Sequence, residues 1–584
     1  MENNIIPIFF ACDEKFVKFT YVTIKSILEN RNESYFYKLY ILNTNVTHNS
    51  QMLGYKNIEE YNNVTLQFID VSKYIEKIKD RIPLRDYYSN ATYYRLFIAD
   101  MFPEYDKAIY IDSDTIVKAD ISTFFNNTLG NNLVGACHEQ AMLQTKCYGD
   151  YVEKNLGLNS KEYFNAGFLL INLKAFRDEC LLDQFSDIVS LYECRVTQDE
   201  DYLNILTEKR VTWIEDSWNT EVYGEIKYDE KDINMIHYIM WAKPWHFIGV
   251  RLEKYFWEYA KLTVFYDEIK KELENYTEDL RNRDLKQAEN LMNLAINETN
   301  AKVKWVDVKH KRKAVDRLIV LSKIRQLENE KIFDQDVEDD PVTRNIEVGE
   351  VDYTKKKLLS KIKTRIAYFI ARKYLNKIIR NKQMIIKDIK GIENLSNLDS
   401  GAFITCNHFN AFDSFAIQVA YEKACKNKRK FYRVIREGNY TTFPGFFGFL
   451  MRNCYTLPLA TNKDVVKEFI KSTNEIVKKG DLVLVYPEQS MWWNYRKPKP
   501  LKKSAFQFAA KANVPVVPVF ITMNDSSILD TNGFFVQEYT INILKPIYPD
   551  SKLSNIENTN QMMEKNYLMW KEVYENAYGI DLKY

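Results

Sequence analysis

Apolar positions along the chain change their period twice, and the changes divide it into three stretches. Residues 5–11 (IIPIFFA) and 37–42 (YKLYIL) are continuous apolar runs of strand length, while YVTIKSILEN between them spaces its apolar side chains as a helix does. VTLQFIDV, KAIYIDSD and NLVGACH predict further strands separated by helix-like or irregular segments. This alternation predicts an α/β domain with an open, partly parallel sheet whose chemistry lies beyond the strand ends. It closes soon after HYIMWAKPWHF, near residue 250.

From about 250 to 345 the strand signal disappears. YDEIKKELENYTEDLRNRDLKQAENLMNLAI predicts polar helices with a narrow apolar stripe, and the acidic run DQDVEDDP, ending at Pro341, predicts a hinge or disordered joint. From Lys355 to Lys382 the chain carries 11 Lys/Arg and no acidic residue. Leu358, Leu359, Ile362, Ile366, Phe369 and Ile370 share one face of a helix there, opposite largely basic positions. Such a helix either lies on anionic lipid or docks on the neighbouring domain with its basic side in water. From about 385 a second alternation begins, with AFITCNH, RKFYRVI, DLVLVYPE and VPVVPVFIT as strands and VVKEFIKSTNEIVKKG and KKSAFQFAAKA as helices. The expected organisation is an α/β domain over 1–250, a charged helical linker over 251–350, a basic amphipathic membrane-facing segment over 351–384 and a second α/β domain over 385–584.

Composition narrows the setting. A chain of 584 residues exceeds what one hydrophobic core serves. The 81 basic and 80 acidic residues leave a formal charge of +1, and the basic stretch lacks interleaved aromatics or a reader motif, so no nucleic-acid partner is expected. Eight Cys without paired ligand spacing fit free thiols in a reducing compartment. The first residues carry no basic n-region or cleavage site, and charges interrupt every apolar stretch before it reaches about 18 residues. The expectation is a cytoplasmic protein held peripherally at the inner face of the cell membrane.

Two places carry chemistry. Asp112 and Asp114 flank Ser113 immediately after an apolar strand, where two carboxylates can converge on Mn²⁺ or Mg²⁺ and, through it, on a sugar nucleotide's diphosphate. His237 can complete a mixed N/O metal site, and Lys243 can neutralise a departing phosphate. Together with YFNAGFLLINL at 163–173 and DEDYLN at 199–204, these residues resemble the retaining glycosyltransferase family 8 over roughly residues 5–250. The resemblance implies a glycosyltransferase A-type fold and a UDP-sugar donor, glucose and galactose being equally compatible. It makes Asp112, Asp114 and His237 the metal ligands, Lys243 the diphosphate contact, and Asp13, Arg95, Asn165 and Asp199 donor-side residues. Glu200 stands where the family has Gln. A carboxylate there either stabilises positive charge at the anomeric carbon, acts as a nucleophile, or tunes acceptor contacts.

In CNHFNAFDSF, His408 precedes Asp413 by five positions just after a predicted strand. Asp413 can fold back to fix the imidazole tautomer, leaving the other ring nitrogen to deprotonate a hydroxyl as it attacks a thioester. With Pro487-Glu488 after LVLVY and the later VPVVPV, this order resembles the glycerolipid acyltransferases over about residues 385–540. The resemblance makes His408 the general base, Asp413 its orienting partner and Glu488 an organiser of the acceptor site, with acyl-CoA or acyl carrier protein as donor. Gln489-Ser490-Met491 replaces the family's Gly-Thr-Arg, so a phosphate contact is missing; Arg436, Arg496, Lys499, Lys502 and Lys503 are the cations that could substitute. The uncharged segment YTTFPGFFGFLM either meets an acyl chain or bilayer or forms a buried loop. The expected protein is thus a bifunctional transferase acting on a glycan or glycolipid at an anionic membrane surface. The alternative keeps one domain as a catalytically decayed scaffold for the other.

Overall fold

The computed structural model describes residues 4–78, 91–338, 343–425 and 429–584. It forms two compact units, Met1–Ile319 and Val320–Tyr584.

The first unit is built on a seven-stranded sheet in the order β3-β2-β1-β4-β7-β6-β8. Its strands are β1 (Ile5–Ala11), β2 (Phe36–Asn43), β3 (Val64–Asp70), β4 (Lys107–Ile111), β6 (Val134–His138), β7 (Phe164–Asn172) and β8 (Val211–Trp213); β5 (Thr115–Val117), β9 (Thr220–Glu221) and β10 (Met235–His237) make a small second sheet. Strands β3, β2, β1 and β4 run parallel, and β7 runs antiparallel to both β4 and β6. The continuous apolar runs reflect burial on both faces: Ile8 and Phe10 enter one core, whereas Phe9 enters the other. Helix α1 (Val17–Glu29) follows β1, α2 (Asp199–Leu206) carries the acidic triplet, and α3 (Glu278–Thr299) is the long polar helix.

The expected linker over 251–350 is divided between the units. Phe256, Ile269, Ala295 and Trp305 are buried in the cores of the first unit, so the narrow stripe of the polar helices is a docking face. Residues 339–341 of the expected acidic joint lie outside the described residues, while Asp334, Gln335 and Asp336 bond to residues of the second unit.

The second unit holds another seven-stranded sheet, in the order β11-β17-β16-β12-β15-β13-β14. The strands are β11 (Ile385–Lys390), β12 (Ala402–Cys406), β13 (Phe431–Arg436), β14 (Thr456–Leu459), β15 (Leu482–Val485), β16 (Val516–Leu529) and β17 (Phe535–Ile543). Strands β16, β12, β15, β13 and β14 are mutually parallel. Ile404 and Leu484 point into one core and Phe403 and Val483 into the other. Helices α4 (Leu358–Arg380), α5 (Asp413–Cys425), α6 (Gly445–Asn453) and α7 (Ser504–Ala512) complete the parts needed below. Helix α4 docks through Thr364, Ala367, Leu375 and Ile378, which leaves Leu358 (76% exposed), Leu359 (63%) and Phe369 (61%) in the open. The segment expected as either an acyl-chain contact or a buried loop contains helix α6, with Phe446 and Phe447 exposed. Among the described residues no helix is long and apolar enough to cross a membrane.

Candidate active sites

In the first sheet, strand order reverses between β1 and β4, and ligands of open α/β sheets bind in the crevice outside the carboxyl ends at such a point. Asp13 follows β1 there, with its Oδ1 accepting the amides of Lys15 and Phe16 at 3.0 Å each. Asp112 follows β4. Because β7 runs the other way, its beginning lies at the same edge, where the Asp112 amide donates to the Gly167 carbonyl at 2.8 Å. Strand β10 pairs with β5 so that His237 faces Thr115.

These three arrivals bring one ligand atom each of Asp112, Asp114 and His237 within 4.8 Å of one another. Two carboxylate oxygens and an imidazole nitrogen suit a hard or borderline divalent cation. Gly167 makes the convergence possible: a Cβ there would lie 2.5 Å from His237 Cε1 and 2.6 Å from Asp112 Oδ2. His237 is held through Nδ1 by Asn219 Oδ1 at 3.0 Å, leaving Nε2 3.1 Å from Asp114 Oδ1. Lys243 Nζ donates to Asp114 Oδ2 at 2.5 Å. Burial pushes the Asp114 carboxyl up, but Lys243 and His237 outweigh it and hold the group well below the usual carboxylate range.

Arg95 is 3% exposed and ties the cluster to α2, with Nη2 at 3.2 Å from Asp112 Oδ1 and Nε at 3.0 Å from Asp199 Oδ2. Burial raises the Asp199 carboxyl to about 6; Arg95 opposes that shift and Asp112 adds to it. Arg95 and Asp199 therefore brace the metal-type cluster from behind. Gln198, which enters α2 at φ 53° and ψ −110°, spends backbone strain on the order of 1–3 kcal/mol to aim the acidic triplet.

Beside the cluster lies a cavity of about 230 Å³ lined by Glu139, Asn165, Glu200, Met142, Ile239 and, from α3, Leu291 among others. Glu200 accepts the Ala166 amide at 2.8 Å, and Asn165 donates to Glu139 Oε2 at 2.5 Å. Burial, with Glu139 beside it, pushes the Glu200 carboxyl well above its ordinary range. Glu221, buried behind Glu139, is pushed up for the same reasons, and its Oε1 has no hydrogen-bond partner among the described residues. Sequence reasoning missed Glu139, Glu221, Asn219 and Leu291. Glu139 directly follows a predicted strand, but nothing local marks the other three.

The second sheet presents its chemistry at the carboxyl ends of the adjacent parallel strands β12, β15 and β13. His408 follows β12, and its Nδ1 lies 2.6 Å from Asp413 Oδ2 at the start of α5. Tyr486, after β15, donates to Asp413 Oδ1 at 2.6 Å and stacks its ring on His408 at 4.0 Å. Asp413 is thus saturated on the dyad side, and Nε2 of His408, whose side chain is 25% exposed, is left for a substrate. Tyr486 escaped the sequence reading although it directly precedes Pro487.

Glu488 is buried and bridges two loops, accepting the amides of His408 at 3.1 Å and Lys499 at 3.0 Å. Burial pushes its carboxyl up and the Lys499 ammonium down; their mutual attraction opposes both shifts. Gln489 occupies the family's Gly position with φ 63°, so the loop keeps the left-handed turn that glycine adopts freely. Of the candidate phosphate cations, Arg436 pairs with Asp336, Arg496 with Asp525, Lys502 with Asp334 and Lys499 with Glu488. Lys503 is exposed just before α7.

Comparison with known proteins agrees with this division. Residues 7–249 match the family model "Glycosyl transferase family 8", and residues 387–522 match "Acyltransferase". Glycosyltransferase GlyE of Streptococcus pneumoniae serotype 4 is 28% identical over 276 residues, covering 44% of this chain and 62% of the relative. The lipopolysaccharide 1,3-galactosyltransferase of Salmonella typhimurium is 30% identical over 187 residues, covering 30% of this chain and 54% of the relative. The chain thus spans less than two thirds of the length of these curated relatives. The solved galactosyltransferase LgtC, in complex with donor and acceptor sugar analogues, is 23% identical, covering 44% of this chain and 96% of that one at a TM-score of 0.37. Residues 7–249 belong to glycosyl transferase family 8 and residues 387–522 to the acyltransferase family, so one chain carries two transferase domains.

Proposed function

We propose that the protein is a bifunctional transferase that moves a hexose from a UDP-sugar to a glycan or glycolipid with retention, and an acyl group from acyl-CoA or acyl carrier protein to a hydroxyl. The observation that carries the first half is the convergence of Asp112, Asp114 and His237 beside the cavity that Glu200 lines. A bound Mn²⁺ or Mg²⁺ would supply Lewis-acid stabilisation of the donor's diphosphate. Lys243 brings a second positive charge to the leaving diphosphate, and Arg95 keeps Asp112 oriented. Burial favours the protonated form of Glu200, but positive charge developing at the anomeric carbon favours its ionisation, and the carboxylate, fixed by the Ala166 amide, then stabilises that charge electrostatically. The acceptor hydroxyl reaches the same face from the cavity and gives its proton to the departing diphosphate oxygen. No separate basic side chain is needed.

In acyl transfer, His408 Nε2 removes the hydroxyl proton while Asp413 holds Nδ1–H. The oxygen forms a bond to the thioester carbonyl, the C–S bond breaks, and the proton passes to the departing thiolate. The tightly hydrogen-bonded Tyr486–Asp413–His408 chain is the observation that supports this reading.

The exposed Leu358, Leu359, Ile362, Ile366 and Phe369 of α4, set among 11 Lys/Arg without an acid, fit an anionic lipid surface that receives the apolar face and attracts the basic one. Flotation with vesicles of neutral or anionic lipid tests this: binding to anionic vesicles that Phe369→Asp and Leu358→Asp abolish supports it, and equal recovery without lipid rejects it. The activities are tested by product mass analysis after the intact protein receives UDP-glucose or UDP-galactose, acyl-CoA and a membrane-lipid extract. Glycosylated and acylated products support the assignment; neither product from active-folded protein rejects it.

A further inference from the structure

The three strand ends that form the acyl-transfer edge also deliver a cation to it. Arg436 ends β13 and donates from Nη2 to the Gln489 carbonyl at 2.9 Å, one residue from Glu488, whose carboxylate holds the His408 amide. An acceptor that placed its hydroxyl on His408 and carried a phosphate would find Arg436, Lys499 and Lys502 along this rim. Each is already matched by a carboxylate of the chain. Arg436 lies 2.8 Å from Asp336, Lys502 3.0 Å from Asp334, and buried Lys499 3.6 Å from Glu488 while donating to Ser490 O at 2.6 Å. These three cations and three carboxylates sum to zero, with exposed Lys503 standing outside the pairs.

The segment that brings Asp334 and Asp336 is fixed in place. Ser490 Oγ donates to the Phe333 carbonyl at 2.8 Å, buried Trp492 Nε1 to the Gln335 carbonyl at 2.8 Å, and the Met491 amide to Asp336 Oδ1 at 3.3 Å. The Phe333 ring stacks on Trp492 with centroids 5.6 Å apart, and Val337 is 4% exposed in the same apolar cluster. Moving Asp336 aside means unpacking that cluster, whereas Asp334 is 61% exposed and held by Lys502. The Arg436–Asp336 pair itself is 39% and 32% exposed, so an arriving ligand meets it.

We infer that Phe333–Asp336 forms a wall of the acyl-acceptor site and that Asp334 and Asp336 make the site select an uncharged hydroxyl, as on a sugar or a glycerol, over a phosphorylated acceptor. The inference rests on the acyltransferase reading and names its acceptor class. A phosphate ester, carrying about −1.5 to −2 charges at neutral pH, meets the anchored Asp336 carboxylate and the exposed Asp334, while Arg436 is already paired. A neutral polyol meets no such repulsion. Met491, standing where the family resemblance expects Arg, removes one more cation from the same loop.

Isothermal titration calorimetry of the full chain with glycerol 3-phosphate tests the charge selection directly. Wild type is expected to give no saturable binding, and Asp336→Asn, which keeps the volume and an acceptor for the Met491 amide, is expected to bind saturably. Adding Arg436→Ala to that variant should remove the gain. Asp334→Asn should shift affinity the same way by less, and it decides the matter if Asp336→Asn does not fold. Saturable wild-type binding that Arg436→Ala abolishes, or no gain in either folded variant, overturns the inference. A paired assay offers acyl-CoA with 1-monoacylglycerol or its 3-phosphate ester: wild type should prefer the neutral acceptor, and Asp336→Asn should move the ratio about tenfold toward the phosphate. Wild-type preference for the phosphate also overturns the inference. Acylation of neither would remove the acyl-transfer reading, while calorimetry still decides the selectivity of the pocket.

Discussion

The two catalytic edges differ in where their residues come from. The first gathers Asp112, Asp114, Asn165, Glu200, His237 and Lys243 from five separate elements or loops, and a strand running against its neighbours is needed to bring Asn165 and Gly167 to the right end. The second is centred on one turn: His408 and Asp413 meet across five positions, Tyr486 and Glu488 arrive from the adjacent strand end, and Arg436 from the next. A site assembled at long range concentrates like charge, and the first unit accordingly buries Asp199, Glu200 and Glu221 with raised carboxyls. The local dyad pairs its donors and acceptors one for one. The same contrast separates a cluster of metal-ligand type, Asp112, Asp114 and His237, from a hydrogen-bonded Tyr486–Asp413–His408 chain.

Four perturbations sharpen that contrast, the largest first. Asp413→Asn keeps the shape of the dyad but presents an amide that can favour the wrong imidazole tautomer, so acyl-transfer kcat should fall about 10³–10⁴-fold with glycosyl transfer untouched. Steady-state rates with both donors measure this; a loss under about tenfold would detach Asp413 from His408's function. Chelation of divalent ions should cut glycosyl transfer by roughly 10²-fold or more and be reversed by Mn²⁺, with acyl transfer unaffected. Equal loss of both activities would contradict separate chemistries.

Glu200→Gln keeps a hydrogen-bond acceptor for Ala166 and removes the charge. An electrostatic role predicts a fall in kcat of about 10- to 100-fold with little change in donor KM, whereas an altered acceptor KM alone would assign Glu200 to acceptor recognition. The smallest effect is on stability. The folded Glu221 carboxyl holds its proton to higher pH than the unfolded chain, whose carboxylates titrate near about 4.3. Stability from the neutral form is therefore present below that value and is lost as pH rises through the folded one. Glu221→Gln should melt close to wild type at pH 4 and progressively higher than wild type as pH increases, with wild type losing about 1.4 kcal/mol per pH unit between the two values. Parallel melting curves at all pH values would place the charge elsewhere.

What the sequence made legible follows the same division. The runs IIPIFFA, YKLYIL and LVLV are apolar because their strands are covered on both faces, so both sheets could be read from them. Strands β8 and β14, which are short, and β11 and β17, whose polar and apolar residues are interleaved, escaped that reading, as did β7, legible only as a motif. The His408–Asp413 pair was legible because its geometry is one turn long, and Asp112–Asp114 because two acids close an apolar strand. Glu139, Glu221 and Asn219 depend on which strands are neighbours, which no local pattern records. The polar helices after residue 250 looked like a linker because their apolar stripe is thin; Ile269 and Ala295 nonetheless reach full burial. The acidic run looked like a solvated joint, yet Asp334 and Asp336 are the counter-charges of Lys502 and Arg436.

Both constellations are assembled in the structure. The central claim, two independent transferase centres in one chain, is tested most directly by product mass analysis of wild type, Asp112→Ala and His408→Ala supplied with UDP-sugar, acyl-CoA and the same acceptor extract. The account predicts that Asp112→Ala loses the hexose-bearing products and His408→Ala the newly acylated ones, each retaining the other reaction on acceptors that do not require both. Retention of hexose transfer by Asp112→Ala together with acyl transfer by His408→Ala would contradict it.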